Sequence, residues 1–171
     1  MRTVVGVDPG SRTTGLAVVR GTTLVAFDSI THDGPVFPAS TDYLRAVAAA
    51  VDSLIETHSA SLLAVETLRE PNWHVGGGRA AARPGAVIAT CAVVGGLQMH
   101  DFDVPLVMVP PGKHGKGYLG SYPEELVGPG ERRRPDWRVR TGTGALRHAR
   151  SAFDVARNGN LIYRAEGAHH S

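Results

Sequence analysis

The sequence predicts one α/β domain whose sheet begins with an antiparallel three-stranded meander and continues with parallel strands. Short β-branched runs bounded by Gly or Pro open the chain, and a strand–helix–strand pattern follows them. A length of 171 residues and a hydrophobic content of 42% are sufficient for one compact core. We therefore treat residues 1–171 as a single domain, with an irregular basic segment at about 110–143.

The first three predicted strands are Thr3 to Asp8, Leu16 to Arg20 and Thr23 to Ser29, and Gly21-Thr22 forms the tight turn between the last two. Each strand is short and rich in β-branched residues. Consecutive strands joined by such short connections pair antiparallel, which gives the opening meander.

A helix is predicted next, beginning at Ser40 or Thr41 and ending at His58, because apolar residues recur there at i, i+3, i+4 and i+7. It leads into a strand from Leu62 to Glu66. A right-handed crossover makes this strand parallel to its neighbour. Its carboxyl end, with Glu66, is then expected at the same edge of the sheet as Asp8.

The remaining predicted elements are a helix from Pro84 to about Met99 or His100, a strand from Pro105 to Val109 and a final helix from near Gly144 to about Arg157. Asn158-Gly159 is a typical signal for a helix end, and we place the end of the final helix there.

Carboxylates follow two of the apolar strands, and a polar helix face follows later in the chain. Asp8 and Glu66 end their strands, while His148, Ser151 and Asp154 at i, i+3 and i+6 spread over about 120° of the last helix. Oxygen ligands from separate elements suit two Mg²⁺ ions, which can activate a water and neutralise a reacting phosphodiester. In this interpretation Asp8 bridges both ions, Glu66 binds one of them and the helix completes the site.

Each of these residues also has a simpler explanation when it is taken alone. The alternatives are a turn role for Asp8 before Pro9-Gly10, an exposed acid at Glu66, a structural or surface histidine at His148, a small packing residue at Ser151, and an ion pair of Asp154 with Arg150 or Arg157.

The net charge is only +2, but basic residues are concentrated in the last third of the chain. Ten Lys or Arg residues and five acids lie between Lys113 and Arg157. Basic residues beside an acidic site favour a nucleic acid substrate.

Trp73, in a loop with three glycines, could stack on an unpaired base, wedge into a distorted junction or cover an apolar patch. The candidate nucleic-acid contacts are Trp73, Arg79, Lys113, Lys116, Arg132, Arg133, Arg134, Arg147 and Arg150.

Cys91, the single cysteine, lies in an apolar stretch and is expected to be a small core residue. No apolar run approaches the roughly 20 residues that cross a bilayer, and the start of the chain lacks the layout of a signal peptide. We therefore expect a cytoplasmic protein without a membrane partner. The richness in Ala, Gly and Arg suggests a GC-rich genome, such as that of a phage, and so a bacterial or phage-infected host cell.

Three motifs resemble those of the RuvC-type Holliday-junction resolvases, within the ribonuclease H-like superfamily. They are Val-Val-Gly-Val-Asp8-Pro-Gly-Ser-Arg-Thr-Thr-Gly-Leu-Ala, Ala-Val-Glu66 after a helix, and His148-Ala-Arg-Ser151-Ala-Phe-Asp154-Val-Ala. The resemblance implies a ribonuclease H-like mixed five-stranded sheet flanked by helices, a homodimer, and Mg²⁺ or Mn²⁺ as the cofactor. It also implies paired nicks across a four-way DNA junction, with Asp8 and Glu66 as metal ligands.

The last motif departs from the family's usual Asp-x-x-Asp, because His148 and Ser151 occupy its two acidic positions. Histidine occurs at the first position among relatives and can bind metal or handle a proton. A neutral serine is a weak Mg²⁺ ligand. We expect Asp154, one turn further on, to supply the missing charge, although Ser151 stays an alternative ligand.

Three other functions compete with this interpretation. Actin-like ATPases and sugar kinases have a similar Asp-x-Gly loop, but they need two domains and about twice this length. A ribosomal-RNA-processing nuclease of the same superfamily could share the metal chemistry. A branched-DNA-binding module without catalysis is suggested by Ser151.

Overall fold

The computed structural model describes residues 1–68 and 84–168. The strands are β1 (Thr3–Asp8), β2 (Thr13–Arg20), β3 (Thr23–Thr31), β4 (Leu62–Glu66) and β5 (Leu106–Val109), and the helices are α1 (Thr41–His58), α2 (Pro84–Met99), α3 (Pro129–Arg132) and α4 (Arg147–Ala168). They form one five-stranded sheet in the order β3-β2-β1-β4-β5. The pairs β1–β2 and β2–β3 are antiparallel, whereas β1–β4 and β4–β5 are parallel, so the predicted mixed sheet is confirmed.

The sheet is covered on both faces, and its alternating side chains divide between two apolar clusters. Val4 belongs to the cluster that contains α4, whereas Val5 and Val7 belong to the cluster that contains α1 and α2. Successive side chains of a strand point to opposite faces of the sheet, and both faces of this strand are buried. Burial of each such side chain stabilises the fold by about 1.5–3 kcal/mol, so the central strands hold their carboxyl ends in fixed positions.

The predicted start of α1 is confirmed at Ser40, whose Oγ accepts a hydrogen bond from the backbone N–H of Tyr43 at 3.4 Å. On its apolar face Val47 and Val51 are buried, to 1% and 0% exposure. Helix α1 connects β3 to β4 and packs on one face of the sheet, as expected for a crossover helix.

Helix α4 is longer than predicted, and Asn158-Gly159 does not end it. The helix continues to Ala168, with Gly159 buried in its interior. A Cβ atom at Gly159 would collide with the Cβ of Ala64 on β4. Glycine is therefore present here because the helix approaches the sheet closely, and the prediction of a helix end was wrong.

The segment between β5 and α4 is irregular, as predicted, but it is packed against the rest of the protein. It contains short 3₁₀ turns at Leu119–Ser121, Glu124–Leu126 and Trp137–Val139 in addition to α3. Its buried apolar side chains join the core cluster beneath α4, and they are Leu119, Tyr122, Leu126 and Val127. These four side chains anchor the segment to the core.

Helix α2 contains no charged residue, yet only part of it is covered. Val93 and Leu97 are buried, whereas Ile88 and Met99 are 52% and 86% exposed. Cys91 also lies on the exposed side, which corrects the expectation of a core cysteine. Neither α2 nor any other helix within residues 1–68 and 84–168 is long and apolar enough to cross a membrane.

Candidate active site

Asp8 and Glu66 lie side by side at one edge of the sheet. They directly follow Val7 and Val65, which are paired neighbours on the parallel strands β1 and β4. Both carboxylates line one cavity of about 180 Å³, as the sequence predicted from the two strand ends. The other residues that line this cavity are Gly112, His114, Lys116, Arg147, His148 and Ser151.

Asp8 is paired with His148, the first residue of the polar face predicted on the last helix. Nδ1 of His148 lies 2.7 Å from Oδ2 of Asp8, and Nη2 of Arg147 lies 3.2 Å from Nε2 of the same ring. A guanidinium can only donate, so Nε2 accepts and the ring proton lies on Nδ1, which donates to Asp8. The bond to Asp8 orients the ring, and its other nitrogen, Nε2, is engaged by Arg147 in this structure.

Glu66 is surrounded by hydrogen-bond donors from the loop after β5 and from α4. Its Oε1 accepts from Nδ1 of His114 at 2.9 Å and from the backbone N–H of Gly112 at 3.3 Å. Its Oε2 accepts from Oγ of Ser151 at 3.4 Å. Ser151 therefore contacts the neighbouring carboxylate at the position where the family pattern has an acid.

Asp154 does not line this cavity. Its Oδ2 accepts hydrogen bonds from the backbone N–H of Gly115 at 2.9 Å and from the hydroxyl of Tyr122 at 2.8 Å. Burial, followed by the bond to Asp154 and the charge of that carboxylate, raises the pKa of Tyr122 to about 12, so the phenol stays a donor. This position of Asp154 does not support the expectation that it supplies the missing metal ligand. The carboxylate instead holds the loop against α4.

The electrostatics of the cavity favour a bound cation. Burial raises the pKa of the Glu66 carboxyl, the hydrogen bond from His114 opposes this, and the charge of Asp8 raises the pKa further. Two anionic groups in one half-buried cavity repel each other, and a divalent ion with oxygen ligands relieves that repulsion. Within residues 1–68 and 84–168 no three His, Cys, Asp or Glu side chains form a ready-made metal cluster. The residues that could hold an ion are Asp8 and Glu66, which line the cavity, with His148 beside them.

Six of the predicted basic contacts are exposed, and two of them, Lys116 and Arg147, lie at the cavity itself. Arg134 lines a second cavity of about 370 Å³ together with Arg140. Cations at the rim of an acidic cavity can hold the phosphates on either side of a reacting bond. The exposed set is Lys113, Lys116, Arg132, Arg133, Arg134 and Arg147.

Arg150 is the exception, because its side chain is 0% exposed. Its two terminal nitrogens bind the carboxylate of Glu131 at 3.0 and 3.1 Å, and Nη1 also donates to the carbonyl oxygen of Leu126 at 2.8 Å. The prediction that Arg150 contacts nucleic acid was therefore wrong. Its guanidinium joins α4 to the preceding segment.

The two remaining predicted contacts, Trp73 and Arg79, lie outside the described residues.

The site also contains groups that sequence reasoning missed. His114 was overlooked because its loop has no periodicity, and Asn158 was interpreted only as a helix end. A histidine two residues after the Pro-Pro-Gly that ends β5, at the same edge of the sheet as Asp8 and Glu66, was the available signal for His114.

The sequence pattern of the family described as crossover junction endodeoxyribonuclease RuvC matches residues 4–101, which include Asp8 and Glu66. The chain is similar to two solved structures, "T. thermophilus RuvC in complex with Holliday junction substrate" and "Thermus thermophilus RuvC structure". The first has a TM-score of 0.60 at 15% identity and the second 0.58 at 17%, each over 96% of both chains. No curated protein matches the sequence. Because the family pattern covers more than half of the chain, this protein belongs to the RuvC family of crossover junction endodeoxyribonucleases.

Proposed function

We propose that this protein resolves four-way DNA junctions by nicking phosphodiester bonds at the cavity formed by Asp8 and Glu66. The observation that carries the proposal is the pairing of these carboxylates at neighbouring strand ends, with His148 hydrogen-bonded to Asp8 at 2.7 Å. The described "T. thermophilus RuvC" structure holds a Holliday junction substrate, and this chain has a similar fold over 96% of its length. A cytoplasmic location fits such a substrate.

Each group at the cavity has a role that follows from its surroundings. Asp8 and Glu66 would hold the metal, because they are the two carboxylates that line the cavity. His148 keeps Nδ1–H on Asp8, and its Nε2, which accepts from Arg147 in this structure, would be free to bind metal or accept a proton once Arg147 contacts a phosphate. Lys116 and Arg147 would hold the phosphates that flank the cut.

The cofactor in this proposal is Mg²⁺, for which Mn²⁺ can substitute, with two ions during cleavage. Bound ions lower the pKa of a water and neutralise charge on the reacting phosphate. Asp8 and Glu66 together balance the charge of one divalent ion, so we propose that the second ion depends on oxygens of the DNA. The negative charge of the site is reduced because Ser151 contributes no charge where the family pattern has an acid.

The proposal is tested with the unmodified protein on a synthetic four-way junction and on a linear duplex of the same sequence. We expect symmetrical nicks in the junction with Mg²⁺ or Mn²⁺, no nicks with a chelator, and little cleavage of the duplex. A structured ribosomal RNA is included as a third substrate. Preferential cleavage of that RNA would replace this proposal with the RNA-processing function.

A second candidate function is binding of branched DNA without cleavage, and the observation that favours it is Ser151. The same experiment separates the two functions. Tight and selective junction binding, with no nicks under Mg²⁺ or Mn²⁺, would support the binding module and contradict the nuclease.

We also propose a homodimer formed through the exposed side of α2. This 16-residue helix has no charged side chain, and its uncovered surface includes Ile88 and Met99. Among the described residues, nothing lies within 4 Å of Cβ atoms added at Gly95 and Gly96, so the surface between Ile88 and Met99 is open there. A helix that is apolar all round is normally buried, and a second copy of this chain would bury α2 while placing two active sites in one particle.

Ile88→Glu is expected to convert the dimer to a monomer, because it places a charge on the apolar surface that the dimer would bury. Analytical ultracentrifugation measures the change, and paired nicks in the junction should become single nicks. Leu161→Glu is the matched control, since Leu161 is also exposed, at 63%, but lies on α4. A monomeric unmodified protein, or an Ile88→Glu variant that stays dimeric, would contradict this interface.

A further inference from the structure

His114 and Asn158 form a chain of hydrogen bonds that ends on Glu66. Nδ2 of Asn158 lies 2.9 Å from Nε2 of His114, and Nδ1 of the same ring lies 2.9 Å from Oε1 of Glu66. The side chains of His114 and Glu66 are 10% and 15% exposed, so water competes little with these bonds. Neither His114 nor Asn158 is a metal ligand in the function proposed above.

The hydrogen-bond partners fix which ring nitrogen of His114 carries the proton. The amide nitrogen of Asn158 can only donate, so Nε2 of His114 must accept. The ring proton then lies on Nδ1 and is directed at Oε1 of Glu66. Without Asn158, the ring could place its proton on Nε2 and turn a lone pair toward the carboxylate.

The backbone directly after His114 holds the histidine in this position. Gly115 has a φ of +69°, which favours glycine, and a Cβ atom there would lie 2.9 Å from the carbonyl oxygen of Arg147. The N–H of Gly115 also donates to Asp154. The loop is therefore fastened to α4 directly after His114, and Asn158 approaches the ring from the same helix.

We propose that His114, with Asn158 behind it, is the positioning group for Glu66 and sets the affinity of the site for a divalent ion. The inference rests on the proposed role of Glu66 as a metal ligand. Nδ1–H and the N–H of Gly112 occupy Oε1, which fixes the plane of the carboxylate and leaves Oε2 next to Ser151. With serine in place of the family's acid, metal binding depends more strongly on how Glu66 is held.

The test is calorimetric titration of the metal-free protein with Mn²⁺, without DNA. His114→Gln should weaken Mn²⁺ binding by about 10–100-fold, the usual effect of losing a group that orients a metal ligand. His114→Asn should restore most of the affinity, because the amide nitrogen of asparagine occupies the place of Nδ1. Asn158→Ala should weaken binding in the same direction as His114→Gln.

A control and a second measurement separate the possible outcomes. His100→Ala removes a comparable histidine–carboxylate contact, the 2.7 Å pair with Asp52, at a distance from the cavity, and should leave Mn²⁺ affinity unchanged. The ¹⁵N NMR spectrum of the His114 ring should show the Nδ1–H form in the unmodified protein and lose it in Asn158→Ala. Equal affinities for His114→Gln and His114→Asn, or an Nε2–H ring, would overturn the inference. Mn²⁺ binding that Glu66→Gln leaves unchanged would instead overturn the metal role of Glu66.

Discussion

Glu66→Gln is expected to abolish junction cleavage and at the same time to raise the melting temperature of the metal-free protein. The loss of activity follows from the proposed role of Glu66 as a charged metal ligand. Metal ions stabilise the transition state for phosphodiester cleavage by several kcal/mol, so we expect cleavage to fall by about 10²–10³-fold or more. Junction binding should persist, since no phosphate contact is removed.

The gain in stability follows from the raised pKa of Glu66. Burial, and the charge of Asp8, disfavour the ionised carboxylate in the folded protein, only partly offset by His114. Folding therefore takes up protons between the ordinary pKa of 4.5 and the raised value, and stability falls as the pH rises through that range. Glutamine has no charge to bury, while its carbonyl oxygen can still accept from His114.

Thermal unfolding in a chelator at pH 7.5, and then at decreasing pH, measures this effect. The advantage of Glu66→Gln should be largest at pH 7.5 and should narrow as the pH falls toward 4.5, where the unmodified side chain becomes neutral. Added Mn²⁺ should raise the melting temperature of the unmodified protein and not that of the variant. A variant that cleaves normally, or that is less stable at pH 7.5, would contradict this account of the site.

The strand ends could be predicted from the sequence because they depend on local patterns. β1 and β4 are short β-branched or apolar runs with a carboxylate at the last position, and parallel pairing of neighbouring strands brings those positions together. The prediction of Asp8 and Glu66 in one cavity needed only this topology. It did not require knowledge of any side-chain conformation.

The rest of the site depends on contacts between distant residues, which no local pattern records. His114 reaches Glu66 because Gly115 and Asp154 fasten its loop to α4. In the sequence, Asn158-Gly159 is typical of a helix end. In the structure, Gly159 lies inside α4 and packs on Ala64 of the sheet. Asp154 was expected to be a metal ligand because it lies on a polar helix face, but that face also covers the segment before α4.

Arg150 shows the same limit for charged residues. In the sequence it is one of ten cations in a basic stretch, and nothing nearby distinguishes it from Arg147. The distinction comes from Glu131 on α3, 19 residues earlier, whose carboxylate accepts hydrogen bonds from the buried guanidinium. A basic stretch therefore predicts a DNA-binding surface on average, without showing which of its members are internal.

Glu131→Gln is expected to destabilise the protein strongly, because it leaves the guanidinium of Arg150 buried without a counter-charge. Removal of one partner from a buried ion pair costs about 3–5 kcal/mol. Since Glu131 is still 17% exposed, we expect the lower end of that range. For a chain of this length, about 3 kcal/mol lowers the melting temperature by roughly 6–12 °C. Glu131 also accepts hydrogen bonds from the backbone N–H groups of Gly128 and Gly144. The irregular segment before α4 should therefore become less ordered at both of these glycines.

Urea unfolding of single and double variants tests this expectation. Glu124→Gln is the matched control, because its contact with Arg132 lies at the surface, at 3.5 Å with Glu124 71% exposed, and such pairs contribute under about 1 kcal/mol. Addition of Arg150→Met to Glu131→Gln should recover part of the loss, since methionine removes the buried charge. Equal effects of Glu131→Gln and Glu124→Gln would show that the pair does not anchor the segment.

The pH dependence of this effect should be opposite to that of Glu66. Burial works against the charge of Glu131, but the bonds from Arg150, Gly128 and Gly144 outweigh it, and its pKa is lowered. The stabilisation is therefore complete above the ordinary pKa of 4.5 and is lost as the pH falls through the lowered value. Between pH 7.5 and 4.5 the deficit of Glu131→Gln should stay constant while the advantage of Glu66→Gln shrinks, so the pH profile of unfolding distinguishes a carboxylate whose charge destabilises the fold from one whose charge stabilises it.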